Sequence, residues 1–203
     1  MKYLKALILF SVLLSFSANA LLEINIIKSK EELFPVVIAP FEVIGDAQQG
    51  AEIANIIRDN LNRSGQFNAL STNELVTNQI DFDFWQEHKK DAVIFGKIEQ
   101  VSSKVFNVYI YIYDVFSEKS LYAKKIAVHN SGIRRIAHYL SDKIYYVLLG
   151  QKGSFDTRLS YVAVSENKKG NRTYRLQISD SDGYNPQTVV KSSHPILSPV
   201  WSP

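Results

Sequence analysis

The sequence predicts an α/β domain of the α+β type, with a mixed sheet and two main helices, followed by an incomplete first blade of a β-propeller. Three observations support this fold class. A strand, a capped helix and a second strand follow one another between residues 35 and 70. A long amphipathic helix ends at Leu149, directly before Gly150. Beyond residue 152, short alternating strands are separated by turn sequences, as in propeller blades.

Residues 1–20 have the pattern of a secretory signal peptide. Lys2 and Lys5 form a basic start, residues 6–16 form an apolar core, and Ala18 and Ala20 provide the small side chains of a cleavage site. The apolar core is shorter than the ~20 residues that cross a bilayer, so a cleaved leader is favoured over a membrane anchor. We therefore expect export, with cleavage after Ala20.

The mature chain opens with an extended segment, residues 21–34. Apolar and polar side chains alternate at its start, which consists of Leu22, Glu23, Ile24, Asn25, Ile26 and Ile27. A pattern of period two is typical of a strand, and it leaves two interpretations open. The segment can pair as an edge strand of its own domain, which the pattern alone favours, or it can add to the sheet edge of a partner protein.

Residues 35–152 contain the elements of the expected α/β domain. A helix is predicted between two strands, with Asp46 as its N-cap and Gly65 just past its end. Two consecutive strands joined by a helix are expected to pair in parallel. Short and long elements then follow in this order: a short helix over 81–90, strands over 92–98, 105–113 and 121–128, and a long helix over 131–149.

The clearest alternation in the chain lies over residues 105–113. One face of this strand is predicted to enter the core and carries Phe106, Val108, Ile110 and Ile112; the opposite face carries Tyr109, Tyr111 and Tyr113. A tyrosine stripe can stack on bases or sugars. Removing Lys2 and Lys5 leaves a formal charge of only +1, so charge gives no support to a nucleic-acid partner, and we expect none. We therefore expect this face to be half-exposed or covered by a helix.

Residues 153–203 form the predicted blade, which a linker over 151–154 joins to the first domain. Strands are expected over 159–164, 174–178 and 188–190, and Asp182-Gly183 between two of them is a strong hairpin signal. Asp180 and Asp182 begin like a calcium loop, but the later ligands are missing, so we interpret them as a turn. Because one blade cannot bury both faces, we expect this region to pack less well than the first domain.

No catalytic, cofactor or metal site is predicted. The sequence lacks the Gly-x-Ser-x-Gly, His-Glu-x-x-His and Gly-x-x-x-x-Gly-Lys motifs, and it contains no cysteine. Its histidines are His88, His129, His138 and His194. They are dispersed without ligand spacing, so each is expected to be a surface residue or a hydrogen-bonded core residue.

The predicted blade contains the residues LQISDSDGYNPQTVV followed, after a gap, by SHPILSPVWSP. These residues resemble the first propeller repeat of the TolB family of periplasmic proteins. The order of PVVIAPF, LNRSGQFNAL, DAVIFGKI, the long helix and GSFDTRLSYV is similar to that family as well. In the family, further blades follow the Trp-Ser-Pro with which this sequence ends, so the blade is expected to be incomplete.

The resemblance implies a non-enzymatic periplasmic protein of the Tol-Pal system, without a cofactor. It implies that residues 22–27 bind a TolA-like protein anchored in the inner membrane, and that a Pal-like lipoprotein binds only if the remaining propeller is present. These roles support outer-membrane integrity and envelope constriction at cell division. Because prolyl peptidases contain similar propeller repeats, the alternative is a fragment of a periplasmic hydrolase whose catalytic part is absent.

Overall fold

The first sheet of the protein is mixed. The structure is a computed structural model that describes residues 33–45, 49–73, 75–77 and 79–201. The described strands of this sheet are β1 (Phe34–Ile38), β2 (Glu42–Ile44), β3 (Phe67–Ser71), β4 (Ala92–Gln100), β5 (Val105–Asp114) and β6 (Ser120–His129). Their order is β3-β1-β4-β5-β6, with β2 also pairing with β4. β1 pairs in parallel with β3 and β4, whereas β4, β5 and β6 are antiparallel. The parallel β1–β3 pair confirms the predicted strand-helix-strand unit.

Two long helices cover one face of this sheet. They are α1 (Gly50–Arg63) and α3 (Ile133–Leu149), which follows a 3₁₀ turn over Asn130–Gly132. Their apolar faces and the strands bury a common core that includes Ile57, Leu61, Ile110, Leu140 and Ile144, each 0% exposed. Gly65 and Gly150 have positive φ after these helices, as predicted for helix stops.

The start of α1 differs from the prediction. The helix begins at Gly50, and its N-cap is Gln49, which makes no side-chain capping bond; Asp46 lies outside the described residues. A Cβ at Gly50 would collide with the carbonyl of Phe41, so the helix backbone approaches the β1–β2 connection closely at this point. A packing contact therefore accompanies the helix start, instead of the expected capping motif.

The tyrosine face of β5 is partly covered, as the sequence predicted. The short helix α2 (Phe82–Glu87) places Trp85 against this face, and Tyr111 and Tyr113 stack on Phe95 of β4 with ring centroids 5.1 and 5.9 Å apart. Asp81 caps α2 by accepting a hydrogen bond from the Phe84 N–H. This second, smaller core accounts for the aromatic stripe without a ligand.

A second, three-stranded antiparallel sheet follows α3. It is formed by β7 (Arg158–Glu166), β8 (Arg172–Asp180) and β9 (Gln187–Ser192) in that order. Among the described residues 158–201 only Ser179 is buried, and Trp201 is 56% exposed. The expectation of a less well-packed second region is therefore confirmed. In the described part of the chain, no helix is both long enough and apolar enough for a membrane span.

Candidate functional site: the junction of α3 with the second sheet

Charged side chains meet where the start of α3 contacts the β8–β9 connection. Arg134 lies at the centre: its Nη2 donates to Asp182 at 2.5 Å, and its guanidinium is 3.7 Å from Asp180 and 3.8 Å from Glu52 of α1. The ring of Tyr184 lies under the guanidinium, with its centroid 3.7 Å away. One arginine thus links both long helices to the second sheet through ion pairs and a cation–π contact.

His138 lies one turn further along α3 and is 2% exposed. Asn60 of α1 orients its ring. Arg63 donates to Asn60 Oδ1 at 2.7 Å, so the amide nitrogen of Asn60 faces Ser141 Oγ at 2.9 Å and His138 Nδ1 at 3.0 Å. Because an amide nitrogen only donates, His138 Nδ1 is the acceptor and Nε2 carries the proton of the neutral ring. That Nε2–H points toward Asp182, at 3.7 Å.

The surroundings of the junction lower the pKa values of both His138 and Asp182. Burial lowers the pKa of His138 below its ordinary 6.5, although Asp182 and Asp180 act in the opposite sense. Burial raises the pKa of Asp182, but the hydrogen bond from the Tyr184 N–H, together with Arg134 and His138, outweighs this and leaves it below 3.8. At neutral pH the histidine is therefore neutral and the aspartate ionised.

A metal ion does not fit this cluster, although His138, Asp180 and Asp182 place possible ligand atoms within 4.8 Å of one another. The Arg134 guanidinium already lies against both carboxylates and would repel a cation. A histidine that binds a metal through Nε2 normally donates a hydrogen bond from Nδ1. In His138 the Nδ1 atom faces the amide donor of Asn60 and accepts a hydrogen bond instead. The carboxylates of Asp180 and Asp182 therefore belong to an ion-pair network with Arg134.

A second set of contacts fixes the connection between α3 and β7. The carboxylate of Asp142 accepts hydrogen bonds from the main-chain N–H groups of Phe155 and Asp156, at 2.8 and 3.0 Å. Ser181 donates to the carbonyl of Phe155 at 2.5 Å, which ties the β8–β9 connection to the same point. Phe155 is itself buried against the first core. The linker is therefore held by side-chain-to-backbone bonds and one apolar anchor.

Between the junction and the 3₁₀ turn lies a polar cleft of about 690 Å³. Its walls carry Glu52, Arg134, Arg135, Asp156, Arg158 and Asp180. Cations and anions are mixed, and several are paired with each other, as Arg135 is with Asp156 at 3.5 Å.

The site residues predicted from sequence lie elsewhere. Leu22, Glu23, Ile24, Asn25, Ile26 and Ile27, and the cleavage-site residues Ala18 and Ala20, fall outside the described residues. The structure instead brings together Arg134, His138 and Asp182, whose joint role the sequence did not predict. His138 interrupts the apolar stripe of α3, and this polar residue was the sequence signal that could have indicated a buried polar contact. Asp182 does precede a glycine with positive φ, Gly183, but the connection spans residues 181–186 and is not a two-residue turn.

Comparisons with known proteins agree with the resemblance seen in the sequence. A family model described as the TolB amino-terminal domain matches residues 22–121, and one described as the TolB beta propeller domain matches residues 145–203. The chain is 58% identical to the Tol-Pal system protein TolB of Ruthia magnifica over 97% of its own length and 46% of that protein. It is 54% identical to that of Vesicomyosocius okutanii over 91% of its length and 43% of that protein.

A solved structure extends this agreement to the fold. The crystal structure of TolB from Acinetobacter baumannii matches 83% of this chain and 41% of that chain, with a TM-score of 0.72 and 35% identity. The chain thus spans a little under half the length of the relatives it matches. These relatives support the interpretation of the second sheet as propeller strands and give no support to the hydrolase alternative. The chain belongs to the TolB family.

Proposed function

We propose that this chain is a non-enzymatic interaction protein of the Tol-Pal system in the periplasm, where it supports outer-membrane integrity and envelope constriction. The observation that carries the proposal is its 58% identity, over 97% of the chain, to a Tol-Pal system protein TolB. The charged groups of the junction pair with one another, so ion pairing within the molecule accounts for them. The leader pattern ending at Ala20 supports export.

Within this function, we assign partner binding to the start of the mature chain. Residues 22–27 are proposed to bind a TolA-like protein, because their period-two apolar pattern suits addition to a partner's sheet edge. Residues 35–152 are proposed as the α/β domain and residues 153–203 as the start of the propeller. A Pal-like lipoprotein is proposed to bind only a chain that contains the remaining blades.

Deletion of residues 21–28 tests the partner assignment. The mature protein without these residues is expected to lose binding to the C-terminal domain of TolA in a pull-down and in calorimetry. Thermal unfolding is expected to change little, because the side chains that form the two described cores come from residues 34–155.

Two matched double variants sharpen the test. Ile24→Ser with Ile26→Ser removes the apolar side of the segment and is expected to abolish binding. Glu23→Gln with Asn25→Ser changes only the polar side and is expected to leave most of the affinity. Equal affinity of the deleted and the intact protein would refute the assignment.

A further inference from the structure

The two outer strands of the first sheet expose their edges differently. At β3, the side chain of Asn62 covers the edge: Ala69 N–H donates to Asn62 Oδ1 at 2.8 Å, and Asn62 Nδ2 donates to the Ala69 carbonyl at 2.9 Å. One side chain thus imitates the pair of bonds that an added strand would make there. This edge is closed to another chain at its centre.

The edge of β6 is open. Asn130 N–H donates to Lys104 O at 2.9 Å, and the β5–β6 register is regular from His129 to Tyr122. In an antiparallel ladder, the N–H and C=O groups of successive residues point alternately to the two sides of the strand. Those of Val128, Ile126 and Lys124 therefore point toward β5. The N–H and C=O groups of Ala123, Lys125 and Ala127 therefore point outward. Within the described part of the chain, these outward groups have no hydrogen-bond partner.

A mostly apolar groove runs beside this open edge. It has a volume of about 350 Å³ and lies between β6 and α3, over Ile126, Val128, Ile136 and Tyr139. Ile126 and Val128 share the helix-facing side of β6 with the apolar core residues of β5. An extended chain added to β6 would place every second side chain over this groove, because strand side chains alternate between the two faces. Main-chain bonds and apolar pockets would then act together.

The rim of the groove is basic. Lys124 shares the groove-facing side of β6, whereas Lys125 faces the opposite side of the sheet, where its Nζ lies 5.3 Å from the centre of the Tyr109 ring. Strand β6 contains no acidic residue. On α3, Lys143 lies 5.2 Å from the ring of Tyr139, and Arg135 is 81% exposed in its side chain. The acidic group beside the groove is Asp156, which is 3.5 Å from Arg135. Pairing of two β6 strands from separate copies would oppose lysine to lysine, which disfavours self-association.

We propose that the β6 edge and the β6–α3 groove bind an extended segment of a partner protein that is apolar at alternate positions and acidic between them. The segment adds to β6 as a further strand and seats its apolar side chains over Ile126, Val128, Ile136 and Tyr139. Its carboxylates then point to the opposite face of the sheet, where they pair with Lys125. The residues that form this surface lie between Ala123 and Lys143 and include none of residues 22–27. The proposal therefore stands or fails independently of the proposed function.

Hydrogen exchange measured by NMR on the mature protein tests the mode of binding. The probe is the peptide Glu-Val-Asp-Ile-Glu-Val-Asp-Ile with blocked ends. Strand addition is expected to slow exchange at the outward amides of Ala123, Lys125 and Ala127. The intervening amides of Lys124 and Ile126, already bonded to β5, are expected to change little. Absence of this alternation at saturating peptide, or binding confined to other residues, would overturn the proposal.

Affinity measurements by fluorescence anisotropy test the two contributions separately. Ala127→Pro removes one outward N–H without removing a β5–β6 bond and is expected to weaken peptide binding about tenfold, equivalent to about 1.4 kcal/mol. A peptide with lysine in place of each acid is expected to bind at least about tenfold more weakly.

A charge variant covers the case in which proline disturbs the strand. If Ala127→Pro also loses the β5–β6 amide protection, Lys125→Glu replaces it as the decisive variant. This substitution leaves every main-chain group in place and is expected to weaken the acidic peptide about tenfold and to strengthen the basic one. Unchanged affinities in the correctly folded variant would overturn the proposal.

Discussion

The two sheets of this protein are stabilised by different interactions. The first buries apolar side chains on both faces, with α1 and α3 on one side and α2 on the other. The second has a single buried residue, Ser179, among the described residues 158–201. It is held to the first region by Arg134, Asp142 and Ser181 through polar contacts. The first region therefore derives its stability from apolar burial, and the second depends largely on a few directional bonds.

This difference shows how polar contacts can position propeller strands beside an α/β domain while apolar side chains of those strands stay exposed. Propeller blades obtain a full core only by stacking. Here Leu197, Val200 and Trp201 remain 81%, 87% and 56% exposed. The polar contacts of the junction hold the second sheet in place without burying these apolar side chains. The junction can thus orient the first blade while its apolar face stays available.

The largest expected difference between the two regions is in the free energy of unfolding that is lost when an apolar side chain is truncated. Leu140→Ala in the first core is expected to lower the free energy of unfolding by about 2–5 kcal/mol, because it leaves a cavity among fully buried neighbours. Val189→Ala on the second sheet, where the side chain is 56% exposed, is expected to cost less than about 0.5 kcal/mol. Urea unfolding of both variants measures the contrast. Similar losses in the two variants would contradict it.

The next effect concerns the junction itself. Arg134→Ala removes the common partner of Glu52, Asp180 and Asp182 and is expected to cost about 1–3 kcal/mol, because carboxylates near the helix lose their counter-charge. The β8–β9 connection should become sensitive to limited proteolysis while the first core stays resistant. Arg135→Ala, on the same helix with an 81% exposed side chain, is the control. Equal proteolysis of both variants would show that Arg134 does not hold the second sheet.

A smaller effect is expected at the closed edge of β3. Asn62→Ala removes two hydrogen bonds to Ala69 and is expected to cost about 1 kcal/mol. The exchange of the Ala69 amide should accelerate, whereas that of Asn68, whose N–H faces β1, should not. Asn55→Ala serves as control, since the Asn55 side chain lies on the exposed side of α1 and accepts a hydrogen bond from Arg58. An unchanged Ala69 amide would indicate that water satisfies this edge equally well.

The smallest effect involves one proton on His138. Its folded pKa lies below the ordinary 6.5 because of burial, so the unfolded chain binds this proton first as the pH falls. The free energy of unfolding should therefore decrease as the pH drops below about 6.5 and level off below the folded pKa. His138→Gln should remove this part of the pH dependence in urea titrations at pH 7.5 and 5.5. An identical slope in the variant would contradict the assignment.

Local sequence was sufficient to predict most elements of the first region. The alternation in β5, the glycine after each long helix and the apolar stripe of α3 are patterns within a single element. The helix start at Gly50 was not predictable in this way, because it coincides with a close approach to Phe41 in a different element. Contacts between elements override a local capping signal when the backbone must fit against a neighbour.

The junction shows the same limit for the candidate site. Asp182 was correctly placed near a turn with positive φ, but its partner Arg134 is 48 residues away in the chain. Neither residue has a recognisable motif, because an ion pair requires only opposite charges brought together by the fold. His138 was expected to be either exposed or hydrogen-bonded in the core, and the structure places it in the core with Asn60. Which residue would be its partner depended on how α1 packs against α3.

Asp142 has a consequence for how this linker tolerates substitution. Its carboxylate accepts hydrogen bonds from main-chain N–H groups, so the hydrogen bond from the N–H of residue 156 does not depend on the side chain at that position. Proline is the exception, since it has no N–H to donate. Two residues before Phe155, a Cβ at Gly153 would collide with the same carboxylate. A saturation library of the linker should therefore accept most residues at 156 except proline, and glycine alone at 153.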